Sequence, residues 1–462
     1  MSARVLDRRR SGVLLHPTAL ITGSGAAAKG ALGAPARAVI DWLAQAGFSI
    51  WQILPLGPPG GGGSPYWARS DFAGHDALID RDELPDIDAQ RADYAAFLAA
   101  SAGWLDDYVL FETLAERFKC PWWQWPPDLR ARTRSALSSV ERERAHELER
   151  RRVEQWYFDW QWRALRRYAR ERGVFLFGDL PIYVAPDSAT TWSQPKQFQL
   201  DAEGRPAVLA GVPPDYFSAD GQLWGNPLYD WKVAEQDGFA FWRARLAQQL
   251  RRFDLVRIDH FRGLAAFWAV PAGSRTAREG RWEAAPGQAL FRALSAGHPE
   301  LPLVAEDLGV ITADVEELRR AFGLPGMRVL QFGFDGSADN PHLPHNYSRD
   351  VVAYTGTHDN DTTLGWYRSL SAQETARVDF YLYTDAAHAL EVMLRATLAS
   401  VAQLAVLSVQ DMLQLGTEAR FNTPGTSEGN WSWRMPPGSL TAPMAAQYAA
   451  LNQVFGRSGV KA

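Results

Sequence analysis

Eight short apolar runs, most of them separated by stretches of helical periodicity, predict an α/β chain closed into a (β/α)8 barrel, the TIM-barrel architecture. The length of 462 residues exceeds the roughly 250 of a bare barrel, which predicts inserted, mainly helical subdomains. No GxGxxG follows the first strand, which weighs against a doubly wound dinucleotide-binding sheet. The whole chain, 1–462, is therefore read as one barrel domain carrying insertions.

The elements follow in order. Residues 12–20 predict a first strand, and ARAVIDWLAQAG a helix stopped by Gly47. FSIWQILPLG, 48–57, is a second apolar strand. The glycine-rich loop 58–72 carries Tyr66 and Trp67; with no GK[ST] and no helix directly after it, it is not a phosphate loop. Residues 81–172 turn rich in Ala, Arg, Glu and Trp with helical spacing and alternating charge, as on solvated faces. They read as a helical insertion whose last helix returns to the barrel. VFLFGDLPIYV, 174–184, is a third strand, followed by a long loop over 185–231; structureless loops of that length are usually functional. A helix through FAFWRARLAQQLRRF leads to a fourth strand, LVRIDHF. LPLVAEDLGV (301–310), GMRVLQFGF (326–334), VVAYTGTHDND (351–361) and LAVLSVQDML (404–413) complete the eight, with helices at ADVEELRRAFG, near 372–400 and near 441–456. The segment 420–434, RFNTPGTSEGNWSWR, is a further loop.

Composition narrows the partners. A net charge of −5 gives no basic excess for nucleic acid or an anionic membrane. The single cysteine, Cys120, cannot form an intrachain disulfide, which fits a reducing cytoplasm. Basic residues before the first apolar run have the outline of a signal peptide, but His16 and Pro17 interrupt the run and no small-residue cleavage site follows. No apolar segment is long enough to span a bilayer. Nineteen Trp, 14 Tyr and 22 Phe supply flat faces for packing and, for those left over, for stacking on sugar rings.

Three strand ends carry acids: Asp259 after the fourth, Glu306 after the fifth and Asp359 after the seventh. In a barrel such ends converge on one face. Three carboxylates there, with Arg257 and His358 beside them, suit either a divalent-metal site, with His260 and His358 as further ligands, or glycoside cleavage by a carboxylate nucleophile and a carboxylic acid. Arg257 lies two residues before Asp259, on the same face of a strand. A guanidinium there would keep the aspartate ionised and oppose a bound cation, which favours the sugar chemistry. The apolar neighbours of Glu306 (Val304, Ala305, Leu308) would permit the raised pKa an acid needs. Taken singly, His260 and Asp179 read as hydrogen-bonded structural groups, Trp224 as loop packing, and Asp307 and Asp361 as caps of the helices that follow.

Together GDLPIYV, GVPPDYFSADGQLWGNPLYDW, RIDHFRG, VAEDLG, GMRVLQFGF, YTGTHDNDT and RFNTPGT…NWSWR resemble the 4-α-glucanotransferases, also called amylomaltases or disproportionating enzymes, a family related to the α-amylases. The resemblance runs from SGVLLHPTAL to NWSWR. It implies a retaining double displacement in which Asp259 is the nucleophile, Glu306 the general acid/base and Asp359 the group that grips the donor sugar and stabilises the transition state. It further implies that Arg257, His358, Tyr66 and Asp215 line the donor subsite. Gln222, Trp224 and Asn226, in the loop region 185–231, would cover the acceptor side, and Asn430 and Trp431, in the lid loop 420–434, would face them. The implied partners are α-1,4-glucans and maltooligosaccharides, with no nucleic acid, membrane or obligate protein partner, no cofactor and no metal, in the cytoplasm. Departures from the family pattern fall at ITGSGAAAKGALG, GPPGGGGSPY and FAGHDALID, away from the three acids. The alternatives are a hydrolase or branching-type enzyme with the same carboxylates and a catalytically silent glucan-binding protein.

Overall fold

The computed structural model describes residues 5–23, 29–214, 219–426 and 428–459. Eight parallel strands occupy the eight apolar runs: Arg10–Leu14, Ile50–Gln52, Phe175–Leu180, Leu255–Ile258, Leu303–Ala305, Gly326–Val329, Val351–Tyr354 and Leu404–Ser408. Numbered one to eight in chain order, they hydrogen-bond in the sequence six-seven-eight-one-two-three-four-five. Strands five and six close the barrel through a narrower seam. Ala305 N–H donates to the Pro325 carbonyl at 2.8 Å, and Met327 N–H to Asp307 Oδ1 at 2.6 Å. Asp307 thus serves the seam and faces Arg319 and Arg328, instead of capping a helix. Asp361 does not cap either: Thr362 is the N-cap of helix Thr363–Ser369.

The period of two along each strand sorts its side chains into two cores. Leu14, Phe177, Leu255, Val304, Val329 and Val406 fill the barrel interior. Val13, Leu176, Val256, Ile258, Leu303 and Leu407 face outward and join a core shared with the surrounding helices. The same alternation turns Arg257 inward with Leu255, and Asp179 inward with Phe177. The strand pairing then sets Asp179 directly opposite Arg257.

Helix Ala34–Gln45 ends before Gly47, whose φ of +73° lies in the left-handed region that glycine enters without strain. The insertion after the second strand is helical, as expected: Arg91–Ser101, Leu105–Phe118, Pro127–Arg130, Arg134–Glu143 and the 27-residue Ala145–Glu171, which leads back to the third strand. It has an aromatic core of its own, which includes Trp122 and Trp156 and in which Phe111 and Trp125 pack against Trp192 of helix Ala189–Ser193. Much of the tryptophan is spent this way; Trp51, Trp156, Trp162, Trp192 and Trp242 are fully buried. Among the described residues no helix is long and apolar enough to cross a membrane.

The stretch 185–231 is not the structureless loop its composition predicts. Strands Val208–Val212 and Gln222–Pro227 pair with Ala266–Pro271 and Arg281–Ala284, which follow the fourth barrel strand, in an antiparallel four-stranded sheet. Each half of this sheet pairs neighbouring strands, but the strands are short and irregular in pattern and the halves join only through Val208–Val212 against Ala266–Pro271, so no local alternation announces the sheet. Three barrel runs pass directly into helical turns: Pro17 opens a 3-10 turn after the first, Leu330–Gly333 is 3-10 after the sixth, and Ser408 caps helix Val409–Met412 after the eighth.

A Cβ at Gly326 would stand 2.3 Å from Asp307 Oδ2, whereas one at Gly61 meets nothing within 4 Å. Gly326→Ala is expected to push Asp307 off the Met327 N–H and lower the unfolding free energy by about 1–3 kcal/mol. Gly61→Ala should stay within about 0.5 kcal/mol of the parent. Urea denaturation of both variants measures the difference, and equal effects would show that the seam is not what Gly326 serves.

Candidate active site

The site grows from the register of the third and fourth strands. Arg257 Nη1 donates to both oxygens of Asp179, at 2.8 and 2.7 Å, and Nη2 to Asp259 Oδ1 at 2.9 Å. Side-chain exposure grades outward, from 0% at Asp179 and 4% at Arg257 to 27% at Asp259, so Asp259 is the carboxylate of this trio that faces the open end. Burial opposes charge on Arg257, but Asp179 and Asp259 outweigh it and hold the guanidinium firmly protonated. Burial likewise pushes Asp179 up from the usual carboxylate range, with Arg257 pulling it back. The Tyr66 hydroxyl donates to Asp179 Oδ2 at 2.6 Å, and burial beside that carboxylate keeps the phenol neutral.

Glu306 sits in a different environment. Its backbone continues the ladder, N–H to the Ile258 carbonyl at 3.0 Å and carbonyl from Phe261 N–H at 3.1 Å. Its carboxyl accepts His260 N–H at 2.6 Å and Leu308 N–H at 3.1 Å. The first contact requires the chain to turn sharply after Asp259, and His260 has φ +45°, a conformation that is uncommon outside glycine. Burial raises the Glu306 pKa to about 8, against the pull of Arg257 and with help from the negative charge of Asp259. Burial lowers that of the His260 ring to about 4, so this imidazole is neutral at pH 7 and the residue acts here through its main chain.

Asp359 is fixed from a third side. Its Oδ1 accepts Asn422 Nδ2 at 2.7 Å, its carbonyl accepts Arg420 Nη2 at 2.7 Å, and its Oδ2 lies 3.4 Å from His358 Nε2. His358 stacks on Tyr66 with ring centroids 5.1 Å apart and planes 11° apart. Trp431 leans against both, at 5.9 and 6.0 Å. Tyr66 senses the charges of Asp179, Arg257, Asp259 and Asp359, which puts all four in one electrostatic neighbourhood.

The other expected residues divide. Trp224 packs edge-on against the His260 ring, 4.7 Å between centroids, and donates Nε1–H to Gln222 Oε1 at 3.0 Å, so both stand on the Glu306 side. Asn226 is buried and spends its amide on the Val184 carbonyl at 2.8 Å. Asn430 ties its own loop, accepting Thr423 N–H at 2.8 Å and donating to the Thr426 carbonyl at 3.0 Å. Both are scaffold contacts here. Asp215 lies outside the described residues. Three residues of the constellation were not singled out as site residues from the sequence: Asp179, Arg420 and Asn422. The signal for Asp179 was its place at the end of an apolar run; Arg420 and Asn422 had none, because what they bind is set by tertiary contact. Among the described residues no group of three or more His, Cys, Asp or Glu side chains is arranged to hold a metal ion.

A family model described as 4-alpha-glucanotransferase matches residues 15–92 and 83–441. The chain belongs to this family. A 4-alpha-glucanotransferase from Thermus thermophilus is 46% identical, over 97% of this chain and 99% of its own length. One from a Synechocystis strain is 42% identical, over 98% and 99%. Among solved structures, an amylomaltase from Streptococcus agalactiae in complex with acarbose superposes with a TM-score of 0.92 at 32% identity, over 98% of this chain and 100% of that one. An amylomaltase from Corynebacterium glutamicum, at 17% identity and a TM-score of 0.77 over 97% and 75%, shares the fold. The chain is thus a glucan-transferring enzyme on a (β/α)8 barrel, and the double displacement is general for its family.

The Glu306 environment makes a stability prediction that needs no catalytic role. A carboxyl whose pKa rises from 4.5 to about 8 on folding stabilises the fold fully below pH 4.5, and that contribution is lost as the pH rises through 8. Glu306→Gln removes the titration. Its melting temperature relative to the parent should therefore climb between pH 5 and pH 8, and a constant offset in thermal melts would contradict the environment described.

Proposed function

We propose that Asp259 is the nucleophile, Glu306 the general acid/base and Asp359 the transition-state stabiliser of this glucanotransferase, acting on α-1,4-glucans and maltooligosaccharides. The observation that carries the assignment is the contrast between two carboxyls: Asp259 paired with Arg257 and partly exposed, Glu306 buried and protonated up to about pH 8.

In the first half-reaction the Asp259 carboxylate attacks the anomeric carbon as the bond to the leaving O4 breaks, and Glu306 gives that oxygen its proton. A covalent glycosyl-enzyme results. Esterification removes the negative charge of Asp259, one of the influences that raises Glu306. The new Glu306 carboxylate is left with the His260 and Leu308 N–H donors. The loss of that charge lowers its proton affinity toward what a general base needs, and the standing N–H donors favour the carboxylate. In the second half-reaction it takes the proton of an acceptor 4-OH, whose oxygen attacks the anomeric carbon and frees Asp259. Because Glu306 serves the leaving group and the acceptor alike, Trp224 and Gln222, on its side, belong to the acceptor half. Tyr66, His358 and Trp431, on the Asp179 and Asp359 side, belong to the donor half. Within the single catalytic domain, 185–231 and 420–434 act as the loop regions that hold an acceptor and limit the access of water. Cys120, without a disulfide partner in this chain, supports a reducing compartment, and we place the enzyme in the cytoplasm.

Incubation with maltotriose should give glucose and longer chains with little net gain in reducing ends; growth of reducing ends alone, or new α-1,6 linkages, would count against transfer to a 4-OH. Asp259→Asn and Glu306→Gln should each lower kcat roughly 10²–10⁴-fold. Because the acid must carry its proton, kcat/KM for transfer should hold through neutral pH and fall as the pH rises past about 8. A flat profile to pH 10 would refute Glu306 as the acid.

A further inference from the structure

The segment that carries Trp431 also holds Asp359 at two points, and the contacts form a closed clamp. Asn422 Nδ2 donates to Asp359 Oδ1 at 2.7 Å. Arg420 donates through Nη2 to the Asp359 carbonyl at 2.7 Å and through Nε to the Asn422 carbonyl at 2.7 Å. One guanidinium thereby sets the spacing between the two residues that meet at Oδ1. Farther along, Trp431 N–H donates to the Phe421 carbonyl at 2.7 Å, and Phe421 is buried against Trp431 and Trp433. The partner of the other oxygen, Oδ2, is His358 Nε2 at 3.4 Å, and the His358 ring is pinned by Tyr66.

The Asp359 side chain is 44% exposed. A short carboxylate so open to water turns freely about its side-chain torsions unless something holds one oxygen. The hydrogen bond from Asn422 leaves Oδ2 as the oxygen that can meet a substrate hydroxyl or developing positive charge. An amide suits this role because it donates a proton without bringing charge. A lysine there would neutralise the carboxylate, and an aspartate would repel it.

We propose that Asn422, braced by Arg420, is a positioning residue for catalysis: it fixes the rotamer of Asp359 so that Oδ2 faces the donor sugar. This rests on the reading of Asp359 as the transition-state stabiliser. Asn422 spends its Nδ2 on Asp359, so its loss acts on turnover more than on binding.

The experiment compares Asn422→Ala, Asn422→Asp and Asp359→Asn in maltotriose disproportionation, with melting curves for each. Asn422→Ala should lower kcat at least tenfold while KM changes less than threefold and the melting temperature stays near that of the parent. Asn422→Asp keeps the shape and adds a second carboxyl beside Asp359. With Asp359 otherwise facing His358, Arg420 and Tyr66, the new pair shares a proton in acid and repels once both groups ionise. Activity relative to the parent should therefore fall at least tenfold between pH 5 and pH 8, a dependence that a purely structural role would not produce. Values of kcat within twofold of the parent for both Asn422 variants, with Asp359→Asn inactive, would overturn the positioning role. Asp359→Asn retaining full activity would instead overturn the reading on which it rests.

Discussion

One guanidinium between two carboxylates organises this enzyme. Arg257 is almost wholly buried, and a buried charge is tolerated only when its partners are close and well aligned. Asp179 meets that need from the neighbouring strand, because the parallel register sets the two residues side by side on the inward face. Asp259 takes what remains of the guanidinium. The Asp179–Arg257 pair thus carries the desolvation cost in the interior, while Asp259, two residues on, shares the same guanidinium and is partly exposed at the open end.

The rest of the constellation follows from that charge. Glu306 approaches from the next strand, feels Arg257 and Asp259 together, and is buried deeply enough that its proton is retained. Burial therefore sets Glu306 apart from an ordinary carboxyl, although Asp259 stands close enough for its charge to be felt. Between them the His260 backbone turns out of the strand direction, and its N–H reaches Glu306. Asp359 enters on a separate loop and is held from the 420–431 segment, so the third acid is positioned from outside the barrel wall. Its geometry is correspondingly more dependent on side-chain contacts than that of the other two.

Much of this was legible in the sequence where local patterning and tertiary outcome coincide. Apolar runs of strand length separated by helical spacing revealed the barrel, and acids at the ends of those runs marked Asp259, Glu306 and Asp359. Arg257 could be tied to Asp259 by the period of two alone. Asp179 stayed ambiguous because an isolated Asp in FGDLPIYV is equally at home as a structural hub. In the fold it is a hub, and the hub lies within the site. The antiparallel sheet within 208–284 is not legible, since its strands lack clean alternation and its two halves join through one long-range pairing. Asn226 and Asn430 illustrate the same limit at the level of one side chain: sequence can put an amide on a loop, but the direction it points, toward backbone in both cases, is decided by packing.

The most direct test of the account is to find where the glycosyl group resides. Glu306→Gln should still be glycosylated by a maltosyl fluoride, whose leaving group needs no acid, and should then stall for want of a base. Digestion and mass spectrometry of the stalled protein should show the maltosyl adduct on the peptide spanning 255–262, at Asp259. An adduct on another carboxylate, or consumption of the fluoride with no adduct at any stage, would contradict the central claim that Asp259, paired with Arg257, is the nucleophile.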